Sequence, residues 1–237
     1  MLSATLIARG QDIINTDSPD QSDGTYVLAK HFVQVESNAI FSKFDAVTKG
    51  FDNVTLIRYG IVKGFEARLV NQYSIMQDSN RISGIQPLTI SFKNYLCKQK
   101  GILPELTLVS YFRLPVTISH AYKAEHFGYT VTLAGNEDVS KNATLSSNFG
   151  ITQDQQTTAI SYTGTFELSY NLTKRLNGYV EYFGNYAANT NAENGMDIGF
   201  IYSFKNNLAA NLAFGSPSLD LNVNRFVSMG LAVRLPK

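Results

Sequence analysis

The sequence of 237 residues contains no tryptophan, a single cysteine and little charge. Because Cys97 has no second cysteine to pair with, an internal disulfide and a cysteine-based zinc site are both excluded. Charged residues make up 16% of the chain, whereas an ordinary soluble domain carries about 25%. The net charge is +1 and no run of basic residues is present, so the composition argues against nucleic acid as a partner.

Long apolar runs and metal-ligand patterns are also missing. No stretch approaches the length of about 18 apolar residues that a membrane-spanning helix needs, and no persuasive amphipathic helix is found. The three histidines, His31, His120 and His126, lack the spacing and acidic neighbours of a metal site. The sequence therefore predicts neither helical membrane spans nor a metal or other cofactor.

What the sequence does contain is an alternation with a period of two. From Ile160 to Tyr170, apolar or small residues occupy every second position, and hydroxyl or carboxylate side chains occupy the others. Successive side chains of an extended strand point to opposite faces, so this segment predicts a strand with one apolar and one polar face. The same pattern recurs along nearly the whole chain, most clearly at 145–151, 196–204, 208–215 and 227–235.

The alternating segments predict about twelve strands, separated by connections of two kinds. The predicted strands are 32–43, 53–62, 65–76, 86–97, 103–115, 125–137, 143–152, 157–170, 176–187, 195–204, 208–215 and 225–235. Tight turns, such as 62–64 and 205–207, alternate with longer polar connections, such as 77–85 and 216–224. An even number of strands joined alternately by short turns and long loops is typical of an outer-membrane barrel. About ten intervals of ~3.3 Å, tilted by ~40°, rise roughly 25 Å, which is the height of the apolar band of such barrels.

The predicted fold class is therefore all-β, an antiparallel up-and-down transmembrane β-barrel of about twelve strands over residues 31–237. Its apolar faces would contact outer-membrane lipid in a Gram-negative bacterium, with Tyr and Phe near the strand ends forming belts at both interfaces. The alternative is a soluble lipid-binding β-barrel, which would hold the apolar faces inside and the polar faces outside.

The first thirty residues do not follow the alternation. Residues 2–8 are a short apolar run followed by small residues around Arg9, so we interpret 1–10 as the remnant of a secretory signal rather than a disordered terminus. Residues 11–30 are polar and rich in turn-forming residues. Two interpretations are open for this second part: a plug that folds into the lumen, or a free tail.

Charged residues within the strands fall mainly on the polar face, where they are predicted to line the interior. These residues are Arg58, Glu66, Arg68, Lys93, Glu105, Arg113, Glu167, Glu181, Asp197 and Arg234. Both signs are present, and buried charges must be paired or hydrated. The lining is thus expected either to brace the barrel through ion pairs or to select the molecule that passes.

Two motifs carry a resemblance to a known family. The first reads TDSPDQ at 16–21 and the second RYGIVKGFEARL at 58–69. Together with 90–115 and 226–235, they resemble the outer-membrane barrel family catalogued as transporters of the phenol-degradation meta-pathway. The matching residues are Asp17, Pro19, Asp20 and Gln21 in the first motif and Arg58, Gly60, Glu66 and Arg68 in the second. The resemblance implies an outer-membrane barrel with a transport role. Ser18, where the family often has Arg, and an ending without the aromatic residue typical of barrels depart from the pattern.

Three functions are compatible with such a barrel. Passage of a small molecule across the outer membrane is the leading hypothesis. The second is a structural or partner-binding barrel, with a protein partner at the long loops 77–85, 187–194 and 216–224. A lipid-modifying enzyme would need a nucleophile and a base, for which the sequence offers Ser119 with His120 or His126 but no specific signature. We therefore expect no enzymatic activity.

Overall fold

The computed structural model describes residues 12–19, 21–116, 119–188, 192–218 and 224–236. Strands account for most of these residues, and one short 3-10 turn is present at His120–Tyr122. The strands are β1 (Val33–Lys43), β2 (Lys49–Val62), β3 (Phe65–Gln77), β4 (Arg81–Ile85), β5 (Thr89–Cys97), β6 (Glu105–Arg113), β7 (Gly128–Asp138), β8 (Ala143–Gln153), β9 (Ile160–Asn171), β10 (Leu176–Ala187), β11 (Glu193–Lys205), β12 (Leu208–Ser216) and β13 (Arg225–Leu235).

The strands form one closed antiparallel sheet. Apart from β4 and β5, neighbours in the chain pair with each other, and the last strand, β13, pairs with the first along its whole length, from Val33 opposite Leu235 to Lys43 opposite Arg225. The extra strand β4 pairs with β3 alone, so the ring itself contains twelve strands. A closed ring leaves no edge with unpaired backbone groups, which is the condition for a sheet surrounded by lipid. The predicted fold class and strand number are confirmed.

The extra strand corrects one expected loop. Residues 77–85 were expected to be a long connection, but β3 extends to Gln77 and β4 returns along it after a tight turn at 78–80, in which Asp78 accepts a hydrogen bond from the Asn80 N–H at 2.7 Å. Both β4 and β5 pair with β3 and follow each other along it. Pro87 lies between them, and its missing N–H interrupts what is otherwise a single strand.

The two faces of the sheet differ in polarity as the alternation predicts. On β9, Phe166 is 47% exposed while its neighbour Thr165 is 7% exposed. Many large apolar and aromatic side chains are exposed along the strands, whereas most of the buried side chains are hydroxyl, amide or charged. The apolar side chains therefore face outward and the polar ones face the lumen. This arrangement is the reverse of a soluble lipid-binding barrel.

The connections divide into two sets at opposite ends of the barrel. The short-turn end carries 63–64, 98–104, 139–142, 172–175 and 206–207, and the long-loop end carries 44–48, 78–80, 114–127, 154–159, 188–192 and 217–224. Gly64 closes the two-residue turn between β2 and β3 with a φ of 80°, a conformation that other residues rarely adopt. The loop 44–48 is shorter than expected because β2 begins at Lys49. Two of the proposed partner loops, 187–194 and 216–224, lie partly outside the described residues.

Within the described part of the chain, no helix is long and apolar enough to cross a membrane. The predicted signal remnant, 1–10, lies outside the described residues.

Candidate functional site

Residues 12–32, hereafter the N-terminal segment, lead into β1 from the short-turn end without forming a helix or strand where they are described. Their hydrogen bonds reach inward-facing side chains on strands that lie far apart around the ring. Glu66 of β3 accepts a hydrogen bond from the Leu28 N–H at 2.5 Å, and Glu181 of β10 accepts one from the Gln21 N–H at 2.7 Å. A chain that bonds to both sides of the ring passes through the lumen.

The last turn of the N-terminal segment packs directly on β2 at Gly60. Gly60 donates a hydrogen bond to the Phe32 carbonyl at 3.1 Å and accepts one from the His31 N–H at 2.8 Å. A Cβ atom at position 60 would lie 2.0 Å from the Ala29 carbonyl oxygen. Glycine is therefore required here because the backbone of the segment approaches the wall too closely for a side chain.

Three cations on β2, β3 and β5 surround one carboxylate of the segment. Asp17 lies 2.8 Å from Lys93 Nζ, 3.2 Å from Arg58 Nη1 and 3.5 Å from Arg68 Nη2. All four side chains are almost completely excluded from solvent. We call Arg58, Arg68 and Lys93 the basic wall, and Asp17 is the anion that they share.

Most of the remaining donors of the basic wall are also used, and Arg68 Nε is the exception among the described residues. Arg58 makes two hydrogen bonds to Glu66, at 2.9 and 3.1 Å, and one to Glu36 at 3.2 Å. Arg68 contacts Asp23 of the segment at 3.1 Å. Backbone carbonyls complete the set, since Arg58 donates to Tyr26 at 3.1 Å and Lys93 donates to Gly24 at 2.8 Å. The basic wall thus binds the segment through ion pairs and through its main chain.

The charge state of Asp17 follows from this environment. Burial alone would raise the pKa of the Asp17 carboxyl, but the positive charges of Arg58, Lys93 and Arg68 act in the opposite direction. The pKa is lowered well below the usual value, so Asp17 is an anion throughout the neutral range.

Three carboxylates form a row on the other side of the lumen, on β9, β10 and β11. Glu181 stands directly opposite Glu167 in one strand pair and Asp197 in the next, and all three are buried. We call these residues the acidic wall. No ion pair joins any of them to a cation among the described residues.

The N-terminal segment reaches the acidic wall through hydrogen bonds. The Ser22 hydroxyl donates to Glu181 and lies 2.6 Å from the hydroxyl of Thr165. The Gln21 N–H donates to the second carboxylate oxygen of Glu181. These two donors to Glu181 form the described link between the segment and the acidic wall.

Gln34 of β1 and Arg234 of β13 also bind the segment, near its beginning. They stand opposite each other where the first and last strands pair. Gln34 donates to the Asn15 carbonyl at 2.7 Å, and Arg234 donates to the Asp12 carbonyl and, at 3.4 Å, to the Tyr26 hydroxyl.

The described residues enclose two cavities in the lumen, one on each side of the segment. The first, of about 730 Å³, opens toward the short-turn end and includes Thr144, Ser169 and Asn171 in its lining. The second, of about 390 Å³, lies toward the long-loop end and includes Thr130, Thr152 and Thr163. Both have Ser22, Gln21 or Asp23 among their lining residues. The segment therefore lies between them.

Seven of the predicted lining residues fall into two groups. Arg58, Glu66, Arg68 and Lys93 meet in one network, while Glu167, Glu181 and Asp197 form the acidic wall. Arg113 stands apart in the second cavity, half-buried and bonded to Thr130 at 2.9 Å. The role of each residue in permeation stays a prediction.

The first family motif lies in the segment itself. Asp17 is the anion of the basic wall, Pro19 is buried and the Gln21 amide binds Glu181. Asp20 lies outside the described residues.

Sequence reasoning missed several residues of the network, notably Ser22, Asp23 and Glu36. Glu36 lies on the polar parity of β1, between the buried residues Gln34 and Asn38, so the alternation was a usable signal for it. Ser22 and Asp23 are in an irregular segment and have no such signal. Among the described residues, no group of three His, Cys, Asp or Glu side chains is arranged to hold a metal ion.

Solved structures with a similar fold are outer-membrane barrels. The COG4313 outer membrane channel from Pseudomonas putida F1 superimposes with a TM-score of 0.70 at 11% identity, over 92% of this chain and 100% of that one. The KdgM porin in complex with disordered oligogalacturonate gives 0.60 at 11% identity, over 84% of this chain and 98% of that one. The NanC porin gives 0.57 at 8% identity, with the same coverage of the two chains. At these identities the likeness concerns the fold.

Sequence comparison adds the family. A comparison with curated proteins found no significant match. A family profile described as the MetA-pathway of phenol degradation matches residues 16–235, which include both motifs and every strand. The chain belongs to this family of outer-membrane β-barrels.

Proposed function

We propose that this protein is a channel of the Gram-negative outer membrane, and that its N-terminal segment closes the path of a small molecule through the barrel. The observation that carries this proposal is the position of the segment between two polar cavities, with bonds to both the basic and the acidic wall. A barrel whose only task was structural would not need to hold open space at both ends of its lumen. The similar folds described as channels and porins agree with this function.

The lining of the two cavities supports a proposal for the class of permeant. Hydroxyl and amide side chains predominate, for example Thr130, Thr163 and Asn148 in the second cavity and Ser146 and Asn177 in the first. Groups of this kind hold water and exchange hydrogen bonds with polar solutes. Displacement of the segment would join the two cavities into one aqueous path, so we infer a small polar molecule as the permeant.

A structural role is the second candidate, because the ion pairs around Arg58 also connect strands to each other. Arg58 of β2 binds Glu66 of β3 and Glu36 of β1, independently of the segment. In this case the network braces the barrel and the segment is a permanent part of its core.

Replacement of the shared anion distinguishes the two candidates. In Asp17→Asn the three cations lose their common partner, and loss of one partner of a buried ion pair costs about 3–5 kcal/mol. We expect the segment to leave its site and discrete conductance to appear in planar bilayers, where the wild-type protein is mostly closed. Asp12→Asn is the matched control, since it makes the same charge change in the same segment at an exposed side chain.

The outcomes separate clearly. Conductance in Asp17→Asn but not in Asp12→Asn supports a channel closed by the segment. If Asp17→Asn lowers the thermal stability of the barrel and the bilayer stays silent, the network only braces the structure.

A further inference from the structure

Three cations lie side by side on the outer surface at the long-loop end. Lys43, the last residue of β1, stands directly opposite Arg225 of β13 on one side and opposite Lys49 of β2 on the other. All three are exposed, and they share the outward parity of Phe41. They form one positive row across three adjacent strands, which we call the basic row.

The basic row is unfavourable in the isolated protein. Residues directly opposite each other on antiparallel strands have Cβ atoms about 5 Å apart, and like charges at this distance destabilise the pairing. The described residues provide no ion pair to any of the three cations. Asp45 is the nearest loop carboxylate along the chain, and its oxygens accept hydrogen bonds from Val47 and Thr48. Asp45 also attracts Lys43 electrostatically. Lys49 and Arg225 have no ion pair among the described residues, so an external anion would offset the repulsion that remains.

An apolar row lies next to the basic row on the same outer face, toward the middle of the barrel. Its members stand in register across six strands: Val180, Ile198, Phe214, Val227, Phe41 and Phe51. Phe41 and Phe51 are in ring contact, with centroids 5.2 Å apart. Two residues along a strand separate the two rows, which corresponds to roughly 6–7 Å.

A groove of about 720 Å³ joins the two rows. Its lining contains Lys43, Lys49 and Arg225 together with Phe41, Phe214 and Ile198. Such a groove offers positive charge at one end and apolar surface at the other. This pattern fits a molecule with an anionic head and hydrocarbon chains.

We propose that the basic row and the groove form a binding site for the phosphorylated lipid of the outer leaflet, lipopolysaccharide. The inference rests on placement of the barrel in the outer membrane, where long loops face the exterior. The basic row then lies at headgroup level and the apolar row at the start of the acyl chains. One phosphoryl group has three acceptor oxygens, so it can be shared by Lys43 and its two neighbours, and Arg225 can bind it with two parallel hydrogen bonds.

A freely soluble anion or an acidic protein segment would neutralise the basic row but would leave the apolar part of the groove unoccupied.

Basic residues near an anionic lipid surface each contribute roughly fivefold in affinity. Replacing all three should therefore reduce the affinity by about a hundredfold.

The test uses the full-length barrel in a zwitterionic detergent. Lys43, Lys49 and Arg225 are replaced together by Gln, and the control replaces Lys63, Lys141 and Lys174, which are exposed at the short-turn end. Thermal unfolding is measured without lipid, with lipopolysaccharide, with chemically dephosphorylated lipopolysaccharide and with inorganic phosphate. We expect lipopolysaccharide to raise the unfolding temperature of the wild type and of the control, but not of the Lys43, Lys49 and Arg225 variant. Without lipid, that variant should be as stable as the wild type or more stable, because the repulsion is removed.

Equal stabilisation of both variants by lipopolysaccharide would overturn the proposal. If dephosphorylated lipopolysaccharide raised the unfolding temperature of the wild type as much as intact lipopolysaccharide does, the cations would not bind phosphate. If inorganic phosphate raised it as much, the site would bind a free anion. Because the assay does not involve conductance, a silent barrel that still binds lipopolysaccharide through the basic row would contradict the channel proposal alone.

Discussion

The basic wall and the acidic wall contact the same segment by different means. On the basic wall, Asp17 and Asp23 of the segment form ion pairs with Arg58, Arg68 and Lys93. On the acidic wall, a serine hydroxyl and one backbone amide donate to Glu181. Loss of one partner from a buried ion pair costs about 3–5 kcal/mol, whereas loss of one hydrogen bond to a buried acceptor costs about 1–3 kcal/mol.

This difference gives the segment a firmly held side and a releasable side. Movement away from Glu181 and Thr165 would open space along the acidic wall while Asp17 stays bound to the basic wall. In the proposed channel, partial displacement of the segment would open the path, and closure would not require the recapture of a free chain.

Arg58→Met should have the largest effect. The substitution leaves Asp17, Glu36 and Glu66 without their common cation in a buried site, so we expect about 3–5 kcal/mol lower stability and loss of protection of the segment against protease. Urea titration in lipid vesicles and limited proteolysis measure the two effects. Arg113→Met is the control, because Arg113 is half-buried and bonds to Thr130 outside the network. Equal losses in the two variants would argue against a special role of the basic wall.

A disulfide between the segment and β9 should prevent the segment from moving away from the acidic wall. The hydroxyl oxygens of Ser22 and Thr165 are 2.6 Å apart, close to the length of a disulfide at about 2.05 Å. In a Cys97→Ser background, oxidised Ser22→Cys with Thr165→Cys should remain closed even when Asp17→Asn is also present, and conductance should return on reduction. The single Ser22→Cys variant is insensitive to oxidation and provides the control. If the oxidised double variant still opens, the permeation path does not depend on the separation of positions 22 and 165.

Removal of the hydroxyl alone should have a moderate effect. Ser22→Ala leaves Glu181 with one of its donors from the segment, and we expect about 1–3 kcal/mol weaker contact with the acidic wall. Single-channel recordings should show short openings while the region around Asp17 stays protected from protease. Thr25→Val removes a comparable hydrogen bond, to Glu105 at 2.5 Å, near the basic wall. Since ion pairs hold the segment there, Thr25→Val should open the channel less often than Ser22→Ala.

The smallest expected effect is on ion selectivity. Asp197 belongs to the acidic wall and has no described hydrogen bond to the segment, so at alkaline pH, where its carboxyl group is ionised, it should mainly attract cations to the path. In channels opened by Asp17→Asn, adding Asp197→Asn should shift the reversal potential in a salt gradient toward anions, by a few-fold in permeability ratio. Asp138→Asn, at an exposed position near the short-turn end, should change the ratio less. A shift of equal size in both would indicate that general surface charge sets the selectivity.

The sequence predicted the barrel well because a sheet between lipid and a polar lumen imposes alternation on every strand. Parity alone assigned Arg58, Glu66, Lys93 and Glu181 to the buried polar face. Parity also places Glu36 on this face, but Glu36 was not among the predicted lining residues. The extra strand Arg81–Ile85 was missed because the short polar stretch before Pro87 has the composition of a loop, and only its pairing with β3 makes it a strand.

The network could not be predicted in the same way. The N-terminal segment has no periodic pattern, and its path is set by contacts with residues that lie far away in the sequence, up to 222 positions in the case of Asp12 and Arg234. Motif similarity pointed to Asp17 without indicating which strands it would touch. The contacts of Ser22 and Asp23 with the strands depend on the width of the closed ring, and no local property of the chain specifies this width.

The pairing of the first and last strands has a consequence for assembly. This is the contact between the strands most distant in sequence, and such contacts have the highest entropic cost and tend to form late. Gln34 and Arg234, which face each other across this junction, both bind the N-terminal segment. The segment therefore also connects the first and last strands from inside the barrel. A barrel that lacks the segment should pair β1 with β13 more slowly, even if its final structure is the same.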